Sequence, residues 1–381
     1  TVDSSSSFSL CPKQAREKLS RYQLQDPGLW LVKIVQAAVA SGAGGVQVTF
    51  GRHRVSATFK PRTPWDAKEI YQHVMAETTP DDRALAHLVV GLQAVSGTIN
   101  ETVKWSAGSH SVILGPDGNR HVPVKFSKDF TLTAERPKRG VPWKQILTVP
   151  LGQIIKQTID DWWALASRCW PCPVPIKADG RVLRHGLDVV PEARLRKERP
   201  TRGGNIYRCP GFATLSSPKD RPELDIAGSE DVQITRGPAI FGTFLRFVPS
   251  SRPARGAVSL HATGMIDPTV YFVLDGVVIE SRVIQPIVDF LLERPLFKRP
   301  LIVPRFVFAV RAEELDLGGF GVRDIDHMEL VRECLPESYE LLEMVQERLG
   351  EYRVRAVDER ELLRKGLESL KELLELCEHR T

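Results

Sequence analysis

The sequence predicts an α+β protein, because its helical and extended segments come in groups and do not alternate along the chain. Helical periodicity dominates residues 12–96, extended segments dominate 99–150, and a further helix follows at 151–170. We expect these segments to form one helix/sheet sandwich with a second α/β domain after it. The predicted boundaries are a flexible tail at 1–11, the sandwich at 12–168, the α/β domain at 169–330 and C-terminal helices at 331–381.

Composition is that of an ordinary globular chain. The 381 residues are 42% hydrophobic and 26% charged, and the net charge of +5 permits an anionic partner without demanding one. No apolar run approaches the roughly 18 residues that a transmembrane helix needs. Six cysteines spread along the chain indicate reduced thiols, and therefore a cytoplasmic location, rather than a disulfide framework.

The first helical region has two parts. In "PKQAREKLSRYQL", residues 12–24, an amphipathic helix places Ala15, Leu19 and Tyr22 on one face. After "QDPG" a second apolar helix, "LVKIVQAAVA", ends at the glycines of "SGAGG". Strands "VQVTF" and "RVSATF" follow around a short turn.

Two more helices and a set of strands complete the predicted sandwich. The helix "PWDAKEIYQHVMAET" begins at a proline, and Asp81 or Asp82 suits the N-terminus of "DDRALAHLVVGLQAVSG". The strands after it are "ETVKWSAG", "SVILGPDGNRHVPVKF" and "FTLTAE", with a strong turn signal at Pro116–Gly118.

The remaining chain predicts a second sheet and a C-terminal helix. Extended segments run from "VPIKADGRVL" to "VPRFVFAVRAEEL". In the last helix an apolar seam has 3-4-3-4 spacing, formed by Leu363, Leu367, Leu370, Leu374 and Cys377. Two heptads are too short for an independent coiled coil, so we expect this helix to dock on the body of the protein, with a homodimer as the alternative.

The stretch "KIVQAAVASGAGGVQVTF" resembles the first nucleotide-site motif of the GHKL superfamily. This superfamily comprises the type II topoisomerase, heat-shock chaperone, histidine-kinase and mismatch-repair ATPases. The family pattern is Glu-Leu-Val-x-Asn-x-x-Asp-Ala-x-Ala before an amphipathic strand, and the apolar positions and the turn fall in register here. The resemblance implies a GHKL-like sandwich at 12–168.

The polar residues of that motif are replaced. Lys33 stands where the family has its water-activating Glu, and a lysine held as a cation cannot accept a proton. Ala37 replaces the Mg²⁺-coordinating Asn and Ala40 replaces the Asp, although Mg²⁺ needs hard oxygen ligands. Gln36 is the one amide on the inner face of this helix.

Two further family motifs also lack their residues. "VSATFKPRTPWD" stands where the family has Asp-x-Gly-x-Gly, and it has no acid before Asp66. "AETTPDDR" stands at the glycine-rich lid, where its aspartates would repel phosphate. We therefore expect a pseudo-ATPase with no catalytic residue, no metal and no cofactor.

A later stretch, "VYFVLDGVVIES" followed by "VPRFVFAVRAEELDLGGFGVRD", resembles the middle domain of the heat-shock chaperones. An arginine of that domain reaches the nucleotide, and Arg323 stands in the comparable place with Asp324 after it. This resemblance implies a possible nucleotide sensor at Arg323, and the alternative is a surface Arg–Asp pair.

The most basic stretch is "EARLRKERPTRGGNIYR" at 192–208, which we expect to form a loop between strands. It is either a nucleic-acid surface, on which arginines follow phosphates and a tyrosine stacks on a base, or a solvated loop. The nucleic-acid candidates are Arg194, Arg196, Lys197, Arg199, Arg202, Tyr207 and Arg208.

Two smaller signals have structural explanations. Cys169 and Cys172 have redox spacing but follow a helix, and with Cys209 they give three zinc ligands without a fourth. We expect structural thiols. Trp162 and Trp163 are expected to pack between domains.

Taken together, the sequence predicts a non-catalytic, chaperone-like scaffold or adaptor that binds a macromolecular partner, foremost a protein. One alternative is an atypical ATPase that binds ATP and Mg²⁺ through substitute residues such as Gln36 and Arg323. Another is a nucleic-acid-binding module that uses the 192–208 stretch. No membrane partner is expected.

Overall fold

The fold is known from a computed structural model, which divides the chain into two units. The first unit comprises residues 1–169 and 174–183, and the second comprises 170–173 and 184–381. The predicted boundaries after residues 168 and 330 stay predictions. The structure describes residues 28–51, 53–76, 80–96, 102–136, 150–172, 174–183, 206–210, 231–236, 240–248, 255–261, 268–293, 303–315, 320–323, 325–336, 338–339, 342–343 and 357–379.

The first unit is a mixed α+β layer structure. Its helices are α1 (Leu29–Ala40), α2 (Ala67–Ala76), α3 (Arg83–Ser96) and α4 (Pro150–Arg168). Its strands are β1 (Val46–Gly51), β2 (Arg54–Phe59), β3 (Thr102–Gly115), β4 (Gly118–Glu135), β5 (Ile176–Ala178) and β6 (Arg181–Val182). The sheet order is β3-β4-β2-β1-β5-β6. The β1–β5 pair is parallel and the other pairs are antiparallel.

Buried apolar residues alternate with more exposed polar residues along β1 and β2, and this alternation identifies the covered face of the sheet. Val46 and Val48 of β1 are buried, as are Val55, Ala57 and Phe59 of β2. The polar residues between them point to the opposite face, as the two-residue period of a strand requires. Helix α1 contacts β2, whereas α2 and α3 contact β3. The apolar face of the sheet therefore packs under the helices.

The β3–β4 hairpin differs from the prediction of several short strands. The predicted turn is confirmed, since Gly118 has φ +101°. However, β3 runs on through Gly108, which has φ +61°, and its register with β4 shifts on both sides of that glycine. Glycine is the residue that tolerates this conformation. Gly108 therefore forms a bulge and does not end the strand.

Local caps define where two of the helices begin. The Asp82 carboxylate accepts a 2.8 Å hydrogen bond from the Leu85 N–H, which confirms the predicted cap of α3. Helix α2 begins at Ala67 and not at the proline. There the Asp66 carboxylate accepts a 2.7 Å hydrogen bond from the Lys68 N–H.

The second unit contains a seven-stranded sheet. Its strands are β7 (Ile206–Pro210), β8 (Asp231–Arg236), β9 (Ile240–Val248), β10 (Arg255–His261), β11 (Thr269–Leu274), β12 (Val277–Val283) and β13 (Val303–Ala309), in the order β12-β11-β13-β10-β9-β8-β7. Only β11 and β13 pair in parallel among the described strands of this sheet. The helices are α5 (Gln285–Leu292), α6 (His327–Glu333) and α7 (Val357–His379), with a 3-10 turn at Ala312–Glu314.

Helix α7 docks on its own unit, as predicted. It contacts α5, α6 and β13. Leu370, Leu374 and Cys377 of the predicted seam are buried, together with Leu373. The side chains of the other two seam residues, at 363 and 367, lie outside the described residues. None of the described helices combines the length and the apolar character needed to cross a membrane.

Candidate functional site

The four positions predicted to be remnants of a nucleotide site lie on one face of α1. Lys33, Gln36, Ala37 and Ala40 follow the 3-4-7 spacing of a helix face. Gln36 and Ala37 are fully buried, Lys33 is only 4% exposed, and Ala40 is partly exposed. The predicted grouping is therefore observed, but most of the group lies in the protein interior.

Helix α3 packs directly on this part of α1. A Cβ atom added at Gly91 would lie 2.9 Å from Ile34 Cδ1 and 3.2 Å from Lys33 Cβ. It would also lie 3.2 Å from the Trp30 carbonyl oxygen. Because real Cβ atoms rarely come so close, glycine allows the two helices to approach. Protein atoms therefore fill the space beside Lys33.

Asp66, the first acid after the second strand, serves the local fold. Its Oδ2 lies 3.3 Å from His110 Nδ1 on β3. Burial tends to raise the pKa of Asp66, but hydrogen bonds from the Lys68 N–H, His110 and the Glu69 N–H outweigh it and lower the pKa. The carboxylate therefore stays charged and ties the start of α2 to β3.

The predicted lid region offers an acidic helix start. Asp81 and Asp82 are exposed before α3, and Asp82 caps that helix. Residues 77–79 lie outside the described part of the chain. In the described part of this segment, the Leu85 N–H at the start of α3 donates to the carboxylate of Asp82.

Arg323 follows a backbone segment that two side chains hold in place. Glu280 Oε2 accepts a 2.6 Å hydrogen bond from the Val322 N–H. Arg282 donates to the Val322 carbonyl at 2.8 Å and to the Ile325 carbonyl at 2.6 Å. Glu280 and Arg282 also form an ion pair at 2.7 Å.

The side chain of Arg323 itself is exposed, while its N–H donates to the Glu314 carbonyl at 2.9 Å. Asp324 lies outside the described residues, so the predicted Arg323–Asp324 pair stays a prediction. The second unit therefore presents a guanidinium to solvent from a fixed backbone.

The basic stretch is described only at its end. Tyr207 and Arg208 belong to β7 and not to a loop, and they pair with Ile234 and Gln233 of β8. Their side chains lie outside the description. The other nucleic-acid candidates, Arg194, Arg196, Lys197, Arg199 and Arg202, lie wholly outside the described residues. The nucleic-acid interface thus stays a prediction.

The redox-spaced cysteine pair lies in the described part of the chain, whereas the side chain of Cys209 lies outside it. Cys169 and Cys172 are buried thiols, each outside any disulfide. Over the described ranges, no three His, Cys, Asp or Glu side chains group as they would around a metal ion. Asp326, close to the predicted Arg323 site, caps α6 by accepting a 2.8 Å hydrogen bond from the Met328 N–H.

A buried polar cluster was missed by the sequence interpretation. Asp161 of α4 accepts hydrogen bonds from Trp30 Nε1 at 3.0 Å and from Arg136 Nη2 at 2.8 Å. Arg136 also donates to Thr158 Oγ1. Burial lowers the pKa of Arg136, and the charge of Asp161 opposes that change. The cluster joins α1, α4 and the end of β4.

A surface pocket was also missed. It has a volume of about 290 Å³ and lies where β1 and β5 begin and β2 ends. Lys60, Lys177 and Asp129 are the charged residues that line it, with Gly44 and Gly45 beside them. The four predicted α1 positions are not among its lining residues. This depression is therefore separate from the predicted nucleotide position.

No family model and no curated protein sequence matches the chain. Among solved structures, the chain is similar to the MutL ATPase domain of Aquifex aeolicus complexed with ADP, at 10% identity and TM-score 0.31, over 78% of this chain and 91% of that one. It is also similar to the DNA gyrase B subunit of Myxococcus xanthus, at 11% identity and TM-score 0.40, over 82% and 88%. A third similar structure is the N-terminal domain of a DNA repair protein, at 7% identity and TM-score 0.42, over 88% and 98%.

These three similarities have sequence identities of 7–11% and TM-scores of 0.31–0.42.

Proposed function

We propose that this protein is a non-catalytic, GHKL-like and chaperone-like scaffold or adaptor that binds a macromolecular partner, foremost a protein. The observation that supports this proposal is the packing of α1. Lys33 is almost fully buried, and Gly91 of α3 brings a second helix against its Cβ atom. The position that the GHKL pattern reserves for a water-activating acid is thus inside a helix–helix contact.

The chemistry of the neighbouring positions supports the same proposal. A general base must reach a water molecule and accept its proton. Lys33 supplies no carboxylate for that role, and Ala37 supplies no oxygen for Mg²⁺. A fold whose site residues are absent can still bind partners through its outer surfaces.

A thermal-unfolding experiment tests the absence of nucleotide binding. A ligand that binds the native state raises its stability by about 2.7 kcal/mol at a concentration of 100 times its Kd. We expect no shift of Tm with ATP and Mg²⁺, or with ADP and Mg²⁺. A shift that disappears in both Gln36→Ala and Arg323→Ala would instead favour the atypical ATPase, for which ATP and Mg²⁺ are the cofactors.

The nucleic-acid alternative has a separate test. Binding to single-stranded DNA or RNA through arginines must weaken steeply with salt. We expect no such binding by the full chain. Salt-dependent binding that is lost when Arg194, Arg196, Lys197 and Arg199 are all replaced by Ser would favour that alternative.

The proposed scaffold function also requires a protein partner, and a third experiment searches for it. Affinity capture with the full chain, followed by mass spectrometry, should recover a stoichiometric protein in the absence of nucleotide. Capture that depends on added ATP would contradict a non-catalytic scaffold.

A further inference from the structure

The pocket of the first unit has a polar floor on the sheet face that points away from the helices. Its volume of about 290 Å³ is close to the lower end of the roughly 300–1,000 Å³ of small-molecule sites. Gln47 of β1 lies opposite Thr58 of β2 and beside Lys177 of β5. All three residues line the pocket. Neighbouring strands are about 4.8 Å apart, so these residues form one row across the sheet.

A lysine and an aspartate form one wall of this pocket. Lys60 follows Thr58 by two residues and therefore lies on the same face. The last pair between β2 and β4 is Phe59 with Phe130, so the next residues, Lys60 and Asp129, come opposite each other. Both are exposed, and both line the pocket.

The charged groups of the pocket are available to a ligand. Within the part of the chain that the structure describes, Lys60 and Lys177 form no ion pair, and the Asp129 carboxylate accepts no hydrogen bond. A ligand can therefore bind these groups without first breaking an interaction within the protein. Two ammonium groups and one carboxylate give the lining a formal charge of +1.

Two glycines add backbone donors between the lysines. Gly44 and Gly45 line the pocket just before β1, the strand that lies between β2 and β5 in the sheet. Neither glycine N–H donates to an acceptor among the described residues. At Gly44 an added Cβ atom would meet nothing within 4 Å, so the space beside this backbone is open. Successive N–H groups without a protein acceptor are suited to bind an anion.

We propose that this pocket binds a small organic carboxylate with a net charge of about −1. The carboxylate lies between Lys60 and Lys177 and accepts hydrogen bonds from the glycine N–H groups. A hydroxyl group elsewhere on the ligand donates to Asp129. This inference goes beyond the proposed scaffold function and does not depend on it.

The charge of the lining favours a carboxylate over a phosphate ester. A single carboxylate neutralises the formal charge of +1. A phosphate monoester carries about −1.5 to −2 at pH 7 and would leave surplus negative charge beside Asp129. The small volume also favours a compact ligand.

An NMR titration of the full chain tests the site through the amide resonances of Gly44 and Gly45. The probes are 3-hydroxybutyrate, butyrate and inorganic phosphate, all at one ionic strength because salt screens exposed charges. We expect saturable shifts, with the lowest half-saturation concentration for 3-hydroxybutyrate. Butyrate lacks the hydroxyl group for Asp129 and should bind more weakly, as should phosphate.

Substitutions of the charged groups make the test specific. Lys60→Gln and Lys177→Gln should each raise the half-saturation concentration of 3-hydroxybutyrate several-fold, because each removes a charged donor. Lys104→Gln is the matched control, since Lys104 is exposed on β3 and is not among the lining residues. It removes the same charge and should leave binding at the wild-type level. Asp129→Ala should abolish the preference for 3-hydroxybutyrate over butyrate.

Three results would overturn the proposal. The first is the absence of saturable shifts with every probe. The second is an equal effect of Lys104→Gln and the two pocket substitutions, which would reduce binding to general attraction by the positive chain. The third is tighter binding of phosphate than of 3-hydroxybutyrate, which would assign the pocket to phosphate. The amide spectrum of each variant also shows whether it is folded.

Discussion

Arg136 and Asp161 form an ion pair that is closed to solvent. Their Nη2 and Oδ2 atoms are 2.8 Å apart, and each side chain is 1% exposed. Removing one member of a buried pair leaves an uncompensated charge, which costs about 3–5 kcal/mol. We expect Asp161→Asn to lower the free energy of unfolding by about that amount in urea titrations.

The neighbouring Asp160 provides the matched control. Its side chain is only half-buried, so Asp160→Asn should change the free energy of unfolding by about 0.5 kcal/mol or less. Adding Arg136→Met to Asp161→Asn should recover part of the loss, because it removes the unpaired charge. Equal effects of the two Asp→Asn substitutions would contradict this account of the cluster.

Substitution of Gly28 tests how closely the start of α1 packs against α4. An added Cβ would meet the Asp160 carbonyl oxygen at 2.6 Å, and a backbone atom cannot rotate away. Gly28→Ala should therefore destabilise by about 1–3 kcal/mol. At Gly44 an added Cβ meets nothing within 4 Å, so Gly44→Ala should be neutral or slightly stabilising. Thermal and urea unfolding of both variants would detect the difference, and similar stabilities would count against the packing.

Ala37 distinguishes a filled helix contact from an open nucleotide pocket. Ala37→Asn restores the residue type of the GHKL pattern at a fully buried position. In a packed interior the amide should cost about 1–3 kcal/mol. The same change at exposed Ala76, at the end of α2, should cost about 0.5 kcal/mol. If both variants unfold at the same urea concentration, the site beside Lys33 has room for a ligand.

Cys377 gives a prediction about pH. Burial raises the pKa of its thiol to about 12, from an ordinary value of 9.0, although Arg332 acts in the opposite direction. Iodoacetamide reacts with the thiolate. Peptide mass spectrometry at pH 8 should therefore show much slower alkylation of Cys377 in the native protein than in urea. Comparable rates in both states would show that the thiol is not buried.

The same shift has a consequence for stability. A thiol whose pKa is raised on folding contributes its full stabilisation below the unfolded value near 9.0, and that contribution is lost as the pH rises towards about 12. Cys377→Ala should flatten the loss of stability between these pH values. An unchanged alkaline unfolding curve would assign the loss to other groups.

The sequence anticipated features that depend on neighbouring residues. Asp82 capped the helix as its side-chain chemistry requires, and Gly118 formed the turn after Pro116 and Asp117. The four α1 positions shared a face because helix periodicity is a local property. These features need only a few adjacent residues, so a single sequence contains the information.

The sequence could not reveal contacts between distant residues. Trp30 and Asp161 are 131 positions apart, and Arg136 is 25 positions from Asp161. A buried charge looks like any surface charge until its partner is known. The predicted strand end at Gly108 was wrong for a different reason. A glycine inside a strand pattern is compatible with either the end of the strand or a bulge. The partner strand decides between them.

Because β1 pairs with β5, a recombinant version of the first unit alone must include β5. Val46–Val48 pair with Ile176–Ala178, although α4 already ended at Arg168. A polypeptide truncated after residue 168 would expose the backbone donors and acceptors of β1 along a new sheet margin, which invites intermolecular strand pairing. Recombinant versions of this unit should therefore extend through Leu183, beyond the end of the last long helix.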